Sequence, residues 1–401
     1  AQADLALGFT LLGGDVMRSL LVRVADDGYL LYVNVHHIAI DGLSVRVLLD
    51  DLAALYKQEV GIAKEPADLA VDFLDFVVWQ RDLEQGSAFD SARAYWQQHL
   101  RKGVLPVLTI PTRKQGPPMR TCVGSEVPLQ LSAAVAEQLR AIGVAHGCTL
   151  MQVVLALWAT VLCVHGGQQE VVIGTAHHGR DASGCQPLIG CFTNGLPLLI
   201  EVPQGSSAAA LLRAVRQVVT GAQRHAELPL GSVDQLLPHL HREGSRHSVY
   251  QAMFLWEPRG GWGSRIDPQA FGMDTVLQRA DLGKTLMAVP EVGLRAAEGL
   301  TGGIEASIIY NSKLFERKVA EQLVARLQAA VLHLNDWDHK LDTADARAVP
   351  LFEQEDMPAP TKLTNGDFSA AVPFGRVAAL VGATAALPAY MVPSVVVGVR
   401  E

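Results

Sequence analysis

The spacing of apolar residues near the start of the chain predicts a strand, a turn and a helix. Residues 30–35 alternate and are rich in β-forming side chains, which indicates a strand that ends at His36 and His37. Further on, Ser44 can cap a helix, because apolar residues between positions 45 and 55 recur at three- and four-residue spacing. The two histidines are therefore predicted to lie on a strand-to-helix turn.

The rest of the chain continues to mix helices and strands. Two amphipathic helices are predicted around Phe73 and around Tyr95 and Trp96. From residue 335 to about residue 374 the periodicity fades, and Asp, Pro, Thr and Gly accumulate as they do in linkers. Further strands are predicted at residues 126–131, 170–174, 196–202, 250–256 and 304–310, and further helices at 133–146, 149–165, 207–223 and 314–334.

Composition narrows the class of protein. Of 401 residues, 49% are hydrophobic and 18% are charged, so the chain can bury a large core and should form more than one compact unit. The net charge is -8 and no stretch concentrates Lys and Arg, which argues against nucleic acid as a partner. The most apolar segment, residues 149–164, is shorter than the run of about 18 that indicates a membrane span. We therefore expect this segment to be a buried core helix, and we expect no membrane partner.

Cysteine usage points to a reducing compartment. The five cysteines are scattered, with no CxxC pair and no histidine at the spacing of zinc ligands. The sequence thus predicts reduced thiols, a cytoplasmic protein, no metal site and no bound cofactor.

The segment His36-His37-Ile38-Ala39-Ile40-Asp41-Gly42 is the main candidate for chemistry. Histidine exchanges protons near neutral pH, and a carboxylate four residues further on can order the turn around it. Taken alone, such a pattern is more often a core histidine pair at the end of a strand than a catalytic site. Other motifs in the chain change this balance.

This segment resembles the HHxxxDG signature of the condensation domains of nonribosomal peptide synthetases, and other motifs of that family follow in the same order over residues 4–335. Residues 71–81 and Tyr95-Trp96 are similar to two helices of the family. Three further segments resemble the family motifs VGTPxxGRD, IGxFVNT and SRxPLFQVMF, namely residues 172–181 with Gly179-Arg180-Asp181, residues 188–194, and residues 245–254.

The resemblance implies an α/β fold like that of chloramphenicol acetyltransferase, doubled within one chain. Two lobes would form a V around a central tunnel, with residues 1–110 in the first lobe and residues 111–335 in the second. Residues 336–374 would be a linker. Residues 375–401 resemble the end of an adenylation domain, because Leu387-Pro388-Ala389-Tyr390-Met391 is similar to the start of its closing motif.

Residue roles also follow from the resemblance. His37 is implied as the catalytic residue, either as a base or as a hydrogen-bonding group for the tetrahedral intermediate. Asp41 would hold the turn through an ion pair, Gly42 would allow close backbone approach, and His36 would be structural. The substrate tunnel would be lined by residues of the later motifs, namely Arg180, Asp181, Gly190, Phe192, Asn194 and Arg246.

The implied reaction is amide bond formation between a donor acyl group and an acceptor amine. Both would be carried on the phosphopantetheine of upstream and downstream carrier domains, with an adenylation domain as a neighbour. An epimerization domain of the same superfamily and an inactive remnant that only docks carrier domains are alternatives, although the segments 179–181 and 192–194 favour condensation.

The sequence also departs from the family pattern. Family domains carry SxAQxR and RHExLRT segments upstream of the histidine motif, and here the motif already begins at His36. We therefore expect an incomplete first lobe with an uncovered sheet. We also expect Asp41 to lack its ion-pair partner unless another cation takes the place of an upstream arginine.

Overall fold

A computed structural model describes residues 9–332, except residues 27, 63–67, 112, 115, 117–120, 122, 241–243, 245, 258, 260–273, 280–285 and 288–290, together with a strand at residues 395–400. The expected linker at residues 336–374 lies outside these described residues, as does the C-terminal piece apart from that strand.

Helices and strands alternate irregularly along the chain. The first part contains β1 (Met17–Ala25), β2 (Gly28–Val35), α1 (Gly42–Glu59), α2 (Phe73–Gln85) and α3 (Asp90–His99). The second part contains β3 (Val123–Leu131), α4 (Ala133–Ala145), α5 (Leu150–Gly166), β4 (Glu170–His177), β5 (Asn194–Glu201), α6 (Ala208–Arg224), α7 (Leu230–Gln235), β6 (Ala252–Glu257), β7 (Asp274–Arg279), β8 (Leu286–Met287), β9 (Val292–Glu298), β10 (Ile304–Asn311), α8 (Arg317–Leu332) and β11 (Val395–Arg400).

The strands form two sheets. A four-stranded sheet has the order β1-β2-β11-β7, and a seven-stranded sheet has the order β5-β4-β6-β9-β10-β3-β8. Most neighbours are antiparallel, but β6 runs parallel to both β4 and β9. The C-terminal strand β11 pairs with β2 in the four-stranded sheet. This architecture confirms the predicted mixture of helices and strands.

Helix α1 begins differently from the prediction. Asp41 is the N-cap residue, and its carboxylate accepts a hydrogen bond from the Ser44 backbone N–H at 2.8 Å. Ser44 lies inside the first helical turn, so the predicted cap was three residues too late. The Asp41 carboxylate therefore has a role besides the ion pair that the resemblance implies, because at this position it also compensates the unpaired amides of the helix start.

The main core lies on the seven-stranded sheet. Helix α5 is apolar around most of its circumference and is almost completely buried, and Thr149 and Gln152 form a capping box at its start. Among the described residues, no single helix is long and apolar enough to cross a membrane, although α4 and α5 reach that length together across a 99° bend.

Helix α3 belongs to this same core, although it precedes the predicted lobe boundary at residue 110. Its Trp96 is fully buried in the core cluster of the seven-stranded sheet and donates a hydrogen bond to the His225 carbonyl at 2.8 Å. His99 accepts a hydrogen bond from the Leu199 amide, which satisfies a backbone donor of the edge strand β5. The core of the seven-stranded sheet therefore includes residues from both sides of position 110, and the lobe boundary stays a prediction.

The edge strand β1 leaves apolar side chains exposed on both of its faces. The exposed fractions are 44% for Leu20, 62% for Leu21 and 45% for Val24. Side chains of successive strand residues point to opposite faces, so neither face of β1 is covered by described residues. The neighbouring strand β2, in contrast, is buried on both faces from Tyr32 to Val35.

Candidate active site

The two histidines lie where β2 ends. A short 3-10 turn, His37–Ala39, follows the strand, and the His36 Nδ1 accepts a hydrogen bond from the Ile38 amide at 3.1 Å. Burial, and then the neighbouring His37, lower the pKa of His36, so the neutral ring that accepts this bond is favoured. The His36 side chain thus supports the turn.

His37 is half-buried and meets a loop from the second part of the chain. Its Nδ1 lies 3.6 Å from the Sγ of Cys191. Cys191 lies in the loop between β4 and β5, which is called the 178–193 loop here. This loop contains Gly179-Arg180-Asp181 and most of the 188–194 segment. The HHxxxDG turn and the 178–193 loop are therefore in contact.

Asp41 is held in a buried ion pair with Arg180 of this loop. The Arg180 Nη2 lies 3.1 Å from the Asp41 Oδ1, and each side chain is only 1% exposed. The sequence left open whether another cation would replace the upstream arginine, and the loop supplies one 139 residues further along the chain. A buried charge requires such compensation.

The Arg180 side chain is buried rather than exposed to a tunnel. Its Nη1 donates to the carbonyls of Cys185 and Leu188, each at 2.7 Å, and its Nη2 also donates to the Ser44 hydroxyl. The guanidinium carbon lies 4.1 Å from the centre of the Phe192 ring. Arg180 therefore organises the loop behind His37, and the predicted role in lining the substrate tunnel has no geometric support.

Ser44 joins the helix start to the loop. Its hydroxyl lies 2.8 Å from both the Asp41 Oδ1 and the Gly190 carbonyl oxygen, and it accepts a hydrogen bond from the Gly190 amide at 3.1 Å. Phe192 adds a further link, because its amide donates to the Asp41 Oδ2 at 3.1 Å. Helix α1 and the 178–193 loop are thus tied together by a buried polar network.

Two glycines permit this close approach. A Cβ atom on Gly190 would lie 2.1 Å from the Phe73 ring, so α2 packs directly on the loop backbone. Gly179 has a φ of +64°, and a Cβ there would lie 2.0 Å from the Phe192 carbonyl oxygen. Gly42 differs, because it starts α1 without a left-handed backbone angle. The close approach implied for Gly42 stays a prediction, whereas Gly190 and Gly179 both show such a requirement.

Aromatic side chains cover the other side of the loop. The ring of Phe192 lies 5.0 Å from Phe73 and 4.7 Å from Phe76, both on α2. Phe192 is 5% exposed, so it contributes to a small core rather than to an open binding surface. Helix α2 therefore holds the loop from the side opposite the Asp41 network.

Asn194 and Arg246 take structural positions. The Asn194 side chain donates to the carbonyls of Ala226 and Leu228 and accepts from the Leu230 amide, so it braces the segment between α6 and α7. Arg246 forms a buried ion pair with Glu291 at 2.6 Å. Neither side chain contacts His37 in the interactions that the structure describes, and their tunnel role stays a prediction.

Asp181 belongs to a cluster with His177 and His178. Among the described residues, this is the group whose side chains could approach a metal ion, with Asp181 oxygens 3.6 and 3.8 Å from the two Nε2 atoms. Each Nδ1, however, accepts a backbone hydrogen bond, from Gly179 and from Arg180 respectively. A neutral ring then carries its hydrogen on Nε2, which leaves no lone pair there for a metal.

A cavity of about 350 Å³ opens beside His177. Small-molecule sites have volumes of roughly 300–1,000 Å³, so this cavity suits a small organic group. Its wall is mainly apolar and is formed by residues from five elements. Besides residues 175–177 of β4, these are Met151 and Leu155 of α5, Leu196 and Leu198 of β5, Val219 of α6 and Trp256 of β6.

Three side chains of the site carried no predicted role there. Ser44 was interpreted only as a cap, Cys191 only as a free thiol, and Phe73 only as an apolar helix position. The spacing of Ser44 three residues after Asp41 is an N-cap pattern that could have identified Asp41 as the cap. The roles of Cys191 and Phe73 in the site can be recognised only from the three-dimensional structure.

Comparison of the sequence with known families identifies the type of domain that contains the turn and the loop. The family model of the condensation domain matches residues 1–356. The chain belongs to the condensation domain family. The resemblance inferred from the motifs is thereby confirmed.

Curated relatives of this condensation domain are much longer proteins. The chain is 30% identical over 328 residues to one of the subunits of plipastatin synthase from Bacillus subtilis, an alignment that covers 82% of the chain and 9% of that relative. It is 29% identical over 347 residues to one of the subunits of linear gramicidin synthase from Brevibacillus parabrevis, covering 84% of the chain and 6% of that relative. The chain spans less than a tenth of the length of these relatives.

Solved structures of condensation-type domains share the fold. The X-domain from teicoplanin biosynthesis matches with a TM-score of 0.69 and 24% identity, over 82% of the chain and 73% of the X-domain chain. The first condensation domain of the calcium-dependent antibiotic synthetase, in complex with a substrate analogue, matches with a TM-score of 0.62 and 20% identity, over 83% and 69%. The predicted chloramphenicol acetyltransferase-like fold is confirmed.

Proposed function

We propose that this condensation domain joins an acyl or peptidyl donor to the amine of an aminoacyl acceptor. The amine attacks the donor thioester carbon, a C–N bond forms, and the C–S bond breaks. The proton lost by the amine ends on the departing sulfur, so the reaction needs no oxidant or other co-reactant. The observation that carries the proposal is the complete HHxxxDG turn, with His37 half-buried where the turn meets the 178–193 loop.

His37 is the proposed catalytic residue. The half-buried ring is close enough to solvent to meet substrate, whereas the ring of His36 is committed to the turn. Asp41 and Arg180 act as positioning residues, because their ion pair fixes the relation between the turn and the loop. Such preorganisation of a proton-transferring or hydrogen-bonding group is a usual requirement of acyl transfer.

Both substrates are proposed to arrive as thioesters on the phosphopantetheine of carrier domains, with an adenylation domain adjacent in the same assembly. No cofactor bound to this chain is required by the reaction. The apolar cavity beside His177 supports a substrate with a small organic group, since its volume is that of a small-molecule site.

Single-turnover transfer between a preloaded donor carrier and a loaded acceptor carrier tests the proposal. His37→Ala should slow amide formation by about 10² to 10⁴, the usual effect of losing a general acid or base. His239→Ala is the matched control, because His239 is exposed and lies outside the turn and the loop.

Carrier binding, followed by titration calorimetry, separates catalysis from docking. Binding should be the same in the parent and in His37→Ala. An unchanged rate in His37→Ala would remove histidine chemistry from the mechanism. A parent that binds carriers but forms no amide would instead support the interpretation of a docking remnant.

A further inference from the structure

We infer that Cys191 is a positioning residue, which donates its thiol hydrogen to His37 Nδ1 and thereby keeps the ring hydrogen of His37 on Nε2. The tautomer is a property of the folded chain and can be tested without any substrate. Its consequence for amide formation rests on the proposed function.

Contact geometry is the first support. The Sγ of Cys191 lies 3.6 Å from His37 Nδ1, within the distance expected for a hydrogen bond that involves sulfur. Cys191 and His37 are 154 residues apart in sequence, so this contact is made by the tertiary fold. The two half-buried side chains meet at the junction between the turn and the loop.

The backbone around Cys191 is held on both sides. Gly190 before it exchanges two hydrogen bonds with the Ser44 hydroxyl, at 2.8 and 3.1 Å. Phe192 after it donates its amide to the Asp41 carboxylate at 3.1 Å. Because Ser44 and Asp41 begin helix α1 directly after the histidine turn, the thiol is fixed relative to His37 by the same network that holds the turn.

The chemistry of the two groups assigns the hydrogen. Burial, and then the nearby Asp41 carboxylate, raise the pKa of the Cys191 thiol, so sulfur keeps its hydrogen at neutral pH. An imidazole nitrogen is a strong acceptor, whereas sulfur is a weak one. The S–H group is therefore the donor and Nδ1 the acceptor, and a neutral His37 ring must carry its own hydrogen on Nε2.

This tautomer selects one of the two roles left open for His37. A ring with hydrogen on Nε2 donates a hydrogen bond from that edge and cannot accept a proton there. In amide formation His37 would then stabilise the oxyanion of the tetrahedral intermediate, while the amine proton passes to the departing sulfur. An acceptor nitrogen at Nε2 would be required for the alternative role as a base.

Nitrogen-15 NMR of the histidine-labelled chain tests the tautomer directly. In the parent, the ring nitrogens of His37 should show the hydrogen on Nε2. Cys191→Ala should shift these signals towards a mixture of the two tautomers. Cys148→Ala is the control, because the Cys148 thiol is buried and donates to the Leu212 carbonyl rather than to His37. Assignment of the His37 signals uses their loss in His37→Ala.

The activity measurement has a separate outcome. Cys191→Ala should slow single-turnover amide formation by about tenfold, less than the roughly 10⁴ lost when an Asp–His pair adopts the wrong tautomer, since a thiol is a weaker partner. Hydrogen on Nδ1 in the parent, or an unchanged tautomer in Cys191→Ala, would overturn the inference. A parent without condensation activity would contradict the proposed function and leave the NMR result decisive for Cys191.

Discussion

Replacing Arg180 with methionine should destabilise the chain by about 3–5 kcal/mol, because it leaves the Asp41 carboxylate buried without its counterion. Both side chains of the pair are 1% exposed, so water cannot take over the role of the lost guanidinium. Methionine is similar in length and apolar, which limits the cavity that the change leaves behind. The loss of stability therefore reflects the missing charge and hydrogen bonds of Arg180 rather than lost packing.

Hydrogen bonds to the loop place the expected value in the upper half of that range. Arg180 Nη1 satisfies the Leu188 carbonyl, and a buried carbonyl left unpaired costs about 1–3 kcal/mol, whereas the Cys185 carbonyl keeps the Leu188 amide as a donor at 3.4 Å. An exposed ion pair provides the contrast. Arg317→Met removes the pair with Glu321 on α8, and such surface pairs contribute only about 0–1 kcal/mol.

Urea unfolding measures the effect as a shift of the midpoint at constant m-value. The double variant Arg180→Met with Asp41→Asn should cost less than the sum of the two single variants, because neither charge then remains buried alone. A loss below about 1 kcal/mol for Arg180→Met, equal to that of Arg317→Met, would refute the view that the pair holds the loop.

Two further predictions concern packing and pH. Gly190→Ala should destabilise the chain by about 1–3 kcal/mol in urea unfolding, because the new Cβ meets the Phe73 ring, whereas Gly231→Ala, with open space around it, should not. Lowering the pH from 7 to 4 should reduce the unfolding midpoint, because burial lowers the pKa of His99 to about 4 and the unfolded state takes up its proton first. His99→Gln should flatten this dependence, and an unchanged slope would contradict the assignment.

Elements with a strong apolar period were predictable from sequence, and those held mainly by their neighbours were not. Helix α5 has an apolar run, a capping box and a terminal glycine, so its sequence contains every signal of a buried helix. Strand β9 contains Gly293 and two alanines, which have low β-propensity. It is a strand because β6 and β10 flank it on both sides. Strand β1 was missed because arginines and a serine interrupt its apolar positions.

The candidate site divides in the same way. The spacing of His37 and Asp41 is local, and the sequence was sufficient to predict that Asp41 needs a cation. The identity of that cation depends on which arginine the fold brings to the helix start, and Arg180 lies 139 residues away. Pairing over this separation follows from sheet order and loop path, neither of which a single sequence specifies.

Stability and catalysis are coupled at this site because one network serves both. The Asp41 carboxylate caps α1, pairs with Arg180 and accepts the Phe192 amide, so it fixes the loop that presents Cys191 to His37. A substitution that only weakens this network should lower the rate by displacing the loop, and its effect should grow with its cost in stability. Cys191→Ala leaves the network intact, so a loss of rate without a loss of stability would be the distinguishing mark of its action on the His37 ring.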